Sequence, residues 1–300
     1  MEEYHVPVLL EEAVDGLNIH SDGCYLDLTF GGGGHSRVIL RRLGKKGRLM
    51  AFDRDEDVFP HIPKDERLIF VNHNFRYIRN FVRYYNLKVN GIIADLGVSS
   101  HDFDDAGRGF SFRFDFPLDM RMSRKSESTA ADILNNYSLE ALIRIFREYG
   151  EVDNARSLAA FIVKGREERK IVTSGEFCRL IERFIPKNKE KKYLAKVYQA
   201  LRIEVNGELS ALEKMLHDVE YVLEPGGRLA VITYHSLEDR LVKNFIKFGN
   251  TEGVSRKDPV YGYESLPFKA VNRKVILPSE EEIAANPRAR SAKLRIAEKL

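Results

Sequence analysis

Three acids and a run of glycines are the residues in this 300-residue sequence best placed for chemistry. Residues 25–36 read YLDLTFGGGGHS, with Asp27 inside an apolar run and four consecutive glycines, Gly31 to Gly34, behind it. Asp53 closes a second apolar stretch, GRLMAFDRD, and Asp95 closes another, VNGIIADLGVSS. Glycine tolerates positive φ and lets a ligand approach the backbone closely. A helix that begins just after such a loop turns free N–H groups and a partial positive charge toward it. Carboxylates at neighbouring strand ends suit hydroxyl groups and cations.

Two familiar glycine loops do not fit. The dinucleotide fingerprint G-x-G-x-x-G fails because its third glycine position is Ser36 counted from Gly31, and Arg37 counted from Gly32. The P-loop pattern, which ends in Gly-Lys followed by Ser or Thr, is absent. Asp53 stands where doubly wound folds place a carboxylate on ribose hydroxyls. Without a pyrophosphate motif, a phosphate-free nucleoside fits best. S-adenosyl-L-methionine is that ligand: its amino-acid part enters the glycine loop, and acids suit its ammonium and ribose. The plain alternative is a tight turn with no ligand.

The elements that must position these residues alternate. PVLLEEAVDGL reads as an amphipathic helix, and Tyr25–Phe30 as a buried strand. Val38, Ile39, Leu40 and Leu43 fall at helical spacing, so a helix runs to Arg42. GRLMAFDRD, RLIFVNHNF and VNGIIADLGVSS read as strands two to four, with a helix at IRNFVRYYNL. Such β–α alternation predicts a parallel sheet with helices on its faces. The rhythm breaks after Ser100, and helices follow without strands: SLEALIRIFREYG, VDNARSLAAFIVKGREER, FCRLIERFI after the capping-box pattern TSGE, and YLAKVYQALRIEVN. It resumes with the helix ELSALEKMLHDVEYVL, a turn at EPGG, the strand RLAVITYHS and the helix LEDRLVKNFIKF. RKVILP and AKLRIAEKL read as two last strands, the second at an edge. The predicted organisation is therefore an α/β domain made of 1–104 and 207–300, with an all-helical insertion over 105–206.

Composition sets the class. Hydrophobic residues at 43% can fill a core, and 31% charged residues argue for a solvated surface without a membrane span. The start, MEEYHVPVLL, is acidic where a secretory signal would be basic, and Cys24 and Cys178 are too far apart in sequence to suggest a disulfide framework. The expected setting is the cytoplasm. The net charge is +3, but residues 121–206 alone hold 18 Lys/Arg against 12 Asp/Glu. That asymmetry fits a polyanionic partner, and equally a solvated helical surface.

Nine blocks then carry a resemblance. HVPVLLEEAVDGL, YLDLTFGGGGHS, FDRD, ADLGVSS, RGFSF, PLDMRM, YQALRIEVNGEL, PGGRLAVITYHSLEDR and NPRARSAKLRIAEK, in this order, resemble the bacterial RsmH (MraW) family. Members of that family are methyltransferases that act on N4 of a cytosine in 16S rRNA of the small ribosomal subunit. The resemblance implies a class I (Rossmann-like) fold dependent on S-adenosyl-L-methionine, interrupted by a helical domain. It implies cofactor contacts from Gly33, Gly34, His35, Asp53, Phe75 and Asp95. A family glutamine two residues after paired serines is Asp102 here, so that contact survives only through an acceptor. Tyr234 stands before His235 where phenylalanine is common, and VYQALRI replaces a Thr-Phe before the glutamine.

For the chemistry, Asp95 is the candidate at the catalytic edge, with Ser99 and Ser100 as further acceptors. A purely cofactor-binding Asp95 and serines that only cap a loop are the alternatives. RGFSFRFDFPLDMRMSR interleaves arginine with phenylalanine, which suits phosphates and an unstacked base. Arg108, Arg113 and Arg121 are candidates for RNA, while Phe112 or Phe114 is expected in a hydrophobic seam. Arg288 and Arg290 of the basic tail could also meet phosphates. His235 either faces the substrate or bonds backbone at its strand end. His101 with Asp102, Asp104 and Asp105 matches no zinc or calcium spacing, and no metal is expected. A nucleotide-dependent oxidoreductase and a non-catalytic RNA-binding assembly factor are the competing functions, and a homodimer is left open.

Overall fold

The computed structural model describes residues 7–97, 106–123, 126–255, 262 and 266–300. The chain divides into two compact units, 1–97 with 209–300, and 98–208. Among the described residues no helix is long and apolar enough to cross a membrane.

The first unit opens with α1 (Leu10–Gly16), β1 (Cys24–Asp27), α2 (Gly34–Arg42), β2 (Arg48–Asp53), β3 (Leu68–Asn72), α3 (Ile78–Tyr84) and β4 (Val89–Asp95). After the second unit it continues through α9 (Glu208–Val222), β5 (Leu223–Thr233), α10 (Ser236–Phe248), β6 (Phe268–Ala270), α11 (Glu280–Ala285) and β7 (Lys293–Lys299). The described strands form one seven-stranded sheet in the order β3-β2-β1-β4-β5-β7-β6. Neighbours from β3 to β5 pair in parallel, and β7 pairs antiparallel with both β5 and β6. The sheet is thus mixed rather than wholly parallel.

Both faces are covered, which is why these strands read as continuous apolar runs. Alternate residues sort to opposite faces. Leu26, Ile92, Leu229 and Val231 join the core under α3, α9 and α10. Tyr25, Ile93, Ala230 and Ile232 join the core under α1 and α2. Each fully buried large aliphatic side chain contributes about 1.5–3 kcal/mol.

Four sequence expectations are corrected. Strand one ends at Asp27, not Phe30. The Asp27 carboxylate accepts the amide hydrogen of Thr29 at 3.2 Å, turning the chain out of the ladder two residues on. EPGG does turn, but inside β5: Leu223 faces Val89 and Arg228 faces Gly91, so the intervening residues bulge. β7 is not an edge strand; it lies between β5 and β6, and β6 is the edge. RKVILP supplies only an isolated bridge between Ile276 and Leu294.

The second unit holds α4 (Ala130–Asn136), α5 (Leu139–Glu148), α6 (Ala155–Glu168), α7 (Ser174–Ile181) and α8 (Glu190–Asn206) around a core that includes Leu134, Phe146, Leu158, Phe177 and Leu201. Thr173 and Glu176 close the expected capping box of α7. A second box, Thr129 with Asp132, starts α4, a helix the sequence reading missed although TAAD carried its signal.

Candidate cofactor and active site

The carboxyl ends of β2, β1, β4 and β5 lie side by side, and the three acids lie along this one rim. Hydrogen bonds join them to the glycine loop. Asp53 Oδ2 accepts from the Gly31 amide at 2.8 Å, and its Oδ1 from the Asp55 amide at 2.9 Å. Asp27 Oδ2 accepts from the Ser36 hydroxyl at 2.6 Å, in the first turn of α2. Thr29 Oγ1 accepts from the Asp95 amide at 2.7 Å. Asp95 Oδ1 accepts from the Tyr234 hydroxyl at 2.8 Å.

The glycines answer to space as well as to ligand. Gly33 caps α2 at φ 75°, and a Cβ there would stand 2.7 Å from the Phe30 ring. A Cβ on Gly34 would stand 1.9 Å from Pro7 Cγ. A Cβ on Gly31 would meet nothing within 4 Å, so that side of the loop opens onto space.

The rim is electrostatically unbalanced. Burial pushes the Asp27 carboxyl up to about 6; the Ser36 and Thr29 hydrogen bonds resist, and the charge of Asp53 adds to the rise. Burial also raises Asp53, against the amide bonds from Asp55 and Gly31. Asp95 is pushed up to about 7 by burial first, the Tyr234 hydrogen bond opposing, with the charges of Asp27, Glu238 and Glu282 adding. Glu282, in α11, accepts the Leu9 amide hydrogen at 2.7 Å and so links α11 to the start of α1. Asp27 is 1% exposed, while Asp53 and Asp95 keep part of their surface open. Such a cluster favours a cationic ligand, because a positive charge restores the ionised forms.

The model of the MraW methylase family matches residues 2–300. This chain belongs to the MraW methylase family. A Ribosomal RNA small subunit methyltransferase H of Parabacteroides distasonis is 59% identical over 299 residues, covering 99% of this chain and 98% of its own. That of Flavobacterium johnsoniae is 53% identical over 299 residues, with 99% and 98% covered. A solved rRNA methylase from Streptococcus thermophilus, 14% identical, covers 99% of both chains at a TM-score of 0.40, too distant to bear on function. The methyl donor of this MraW-family enzyme is S-adenosyl-L-methionine. The unbalanced acids fit it, since it carries a sulfonium and an ammonium and no phosphate. The oxidoreductase alternative falls with the family.

In this methylase the other candidates separate. His35 is 5% exposed in the first turn of α2. Phe75, just after β3, packs against the sheet core. Ser99, Ser100, His101, Asp102, Asp104 and Asp105 lie outside the described residues. His235 takes the backbone role: its Nδ1 accepts from the Glu238 amide at 3.4 Å, capping α10, and Glu238 answers by accepting from the Tyr234 and His235 amides.

The arginines divide more sharply. Arg108 is corrected as an RNA contact: it is 6% exposed, and its guanidinium donates to the carbonyls of Arg121 and Met122 at 3.0 and 2.9 Å. Arg121 is partly exposed and already engaged: its guanidinium forks onto Asp119 at 2.7 and 2.8 Å and reaches the Ser126 carbonyl at 2.9 Å. Arg113 is exposed beside Phe114, itself 62% exposed. Phe112 packs on Tyr198, ring centroids 5.4 Å apart. Arg288 and Arg290 are exposed. Tyr234 is the site residue that the sequence reading passed over as a departure without a role.

Proposed function

We propose that this methylase transfers a methyl group from S-adenosyl-L-methionine to N4 of a cytosine in 16S rRNA of the small ribosomal subunit, in the cytoplasm. The observation that carries the reading is the acid rim, Asp53 bound to Gly31 and Asp95 bound to Tyr234, in a chain 59% identical to a protein named for small-subunit rRNA methylation.

The residues that would hold the cofactor are Gly33 and Gly34 through backbone, Asp53 toward ribose hydroxyls, His35 and Phe75 through packing, and Asp95 through charge. When bound, the cofactor supplies an electrophilic methyl group. The cytosine N4 lone pair is conjugated into the ring, so the amine is a weak nucleophile. Alignment then carries much of the task, worth about 7–11 kcal/mol in well-oriented systems. With the cofactor bound, the N4 lone pair would form the new N–C bond while the S–C bonding pair stayed with sulfur. One amine proton is then surplus, and the Asp95 carboxylate accepts it and releases it to solvent. Reaching a base edge requires the base to leave its stack. Phe114 offers an aromatic face for stacking, and Arg113 a charge for phosphate.

The test is incubation of the protein and labelled S-adenosyl-L-methionine with small subunits that lack the modification, followed by nucleoside analysis. N4-methylcytosine is expected. Binding of cofactor and RNA without any methylcytosine would leave a non-catalytic assembly factor as the better reading.

A further inference from the structure

Tyr234 is fixed from several sides. Its amide donates to Glu238 Oε2 at 2.9 Å, and its ring lies against Gly97, where a Cβ would stand 3.1 Å from Cδ2. Its hydroxyl donates to Asp95 Oδ1 at 2.8 Å. A phenol has one proton to give, and here it points at one carboxylate oxygen. Among the described residues Tyr234 is the hydrogen-bond donor to this carboxylate, and it bonds Oδ1 rather than Oδ2.

We propose that Tyr234 is a positioning residue for methyl transfer, holding Asp95 by Oδ1 in its charged form so that Oδ2 meets the substrate amine. The inference rests on the methylation reading above. Among the described residues the titratable groups that face Asp95 are Asp27 at the end of β1, Tyr234 after β5, Glu238 in the first turn of α10 and Glu282 in α11. Asp27, Glu238 and Glu282 are acids, and each disfavours the Asp95 charge. Tyr234 is the group in that set that favours it. Burial and the neighbouring Asp95 carboxylate in turn raise the phenol well above its ordinary range, so it remains a donor throughout neutral pH.

The sign follows. Below its pKa Asp95 is protonated and cannot accept the amine proton, so the rate falls on the acid side. Loss of the Tyr234 hydroxyl raises the Asp95 pKa and moves that acid limb to higher pH. Tyr234→Phe keeps the ring against Gly97 and removes only the donor.

The experiment is a carbon-13 NMR titration of aspartate-labelled protein without RNA, the Asp95 signal being identified by its loss in Asp95→Asn. Tyr234→Phe is expected to titrate Asp95 at higher pH than wild type. At saturating cofactor its methylation rate should fall about tenfold near pH 6 and match wild type near pH 9. A structural role alone would lower the rate equally at every pH. If Tyr234→Phe does not fold, the pairing is read from its other side: Asp95→Asn should lower the Tyr234 phenol pKa in tyrosine-labelled protein. An unchanged titration in either variant overturns the inference, whether or not the wild type methylates. A wild type that fails to methylate small subunits overturns the methylation reading, while the titration still decides the pairing.

Discussion

Gly31 donates its amide hydrogen to Asp53 at 2.8 Å, so the acid that ends β2 also holds the loop that follows β1. Asp53 thereby fixes the loop as well as standing on the rim beside it. Asp53→Ala should weaken S-adenosyl-L-methionine binding by about tenfold or more, since hydrogen bonds to charged groups are worth roughly 1.5–3 kcal/mol. Calorimetry with cofactor and filter binding with RNA separate the two ligands. RNA affinity should hold; matching losses in both would remove the ribose role.

Gly33 and Gly31 make a paired test of the loop. Both adopt left-handed backbone, φ 75° and 51°, but only Gly33 has an aromatic ring in the way of a Cβ. Gly31→Ala should cost about 1 kcal/mol and Gly33→Ala distinctly more, about 2–3 kcal/mol, in urea denaturation. Equal costs would mean that Phe30 simply moves aside.

The buried Asp27 ties stability to pH. Its folded pKa, about 6, lies above the ordinary carboxyl value, so the folded state keeps a proton that the unfolded chain gives up near pH 4. The stabilising contribution is complete below about pH 4 and is lost as pH rises through about 6. Asp27→Asn should therefore flatten the apoprotein stability curve between those values, by roughly 1–3 kcal/mol. Taking the difference between variant and wild type cancels surface acids such as Asp65, whose Arg67 partner holds it down at about 2. Cofactor affinity should rise with pH over the window from about 6 to 7, with proton release seen by calorimetry in two buffers of different ionisation enthalpy.

Two arginines close in sequence should behave oppositely. Arg108→Ala leaves two carbonyls without their donor and should cost the helical unit about 2–4 kcal/mol, with no loss of RNA affinity in the folded fraction. Arg113→Ala and Phe114→Ala should leave stability unchanged and weaken RNA binding, Phe114→Ala by about tenfold. RNA affinity that ignores both changes would move the interface off this segment.

The contrast between these arginines marks what the sequence could reveal. Asp27, Asp53 and Asp95 were legible because each sits in or closes an apolar run, and parallel strands put such ends on one rim. RGFSFRFDFPLDMRM showed arginines near aromatics, but not whether a guanidinium already had carbonyls or a carboxylate within its own unit. Arg108 and Arg121 do; Arg113 is exposed, with no such partner among the described residues. The inner place of β7 was illegible for a related reason. It pairs Arg228 with Glu298, a register set by chain geometry and marked by no local motif. The Tyr234–Asp95 bond spans 139 positions, and nothing near either residue announces the other.

That strand order also dictates a timetable for synthesis. β4 is complete at Asp95, yet its second neighbour begins at Leu223, after the whole of 98–208 has been translated. The helices of that stretch can satisfy one another while β4 waits. β5 and β6 in turn emerge before β7, the strand that must slide between them. Until it does, both present bare backbone edges, the surface through which nascent chains pair wrongly with one another. Slow translation or chaperone protection between Thr233 and Lys293 should therefore raise the yield of active enzyme more than the same help given anywhere earlier.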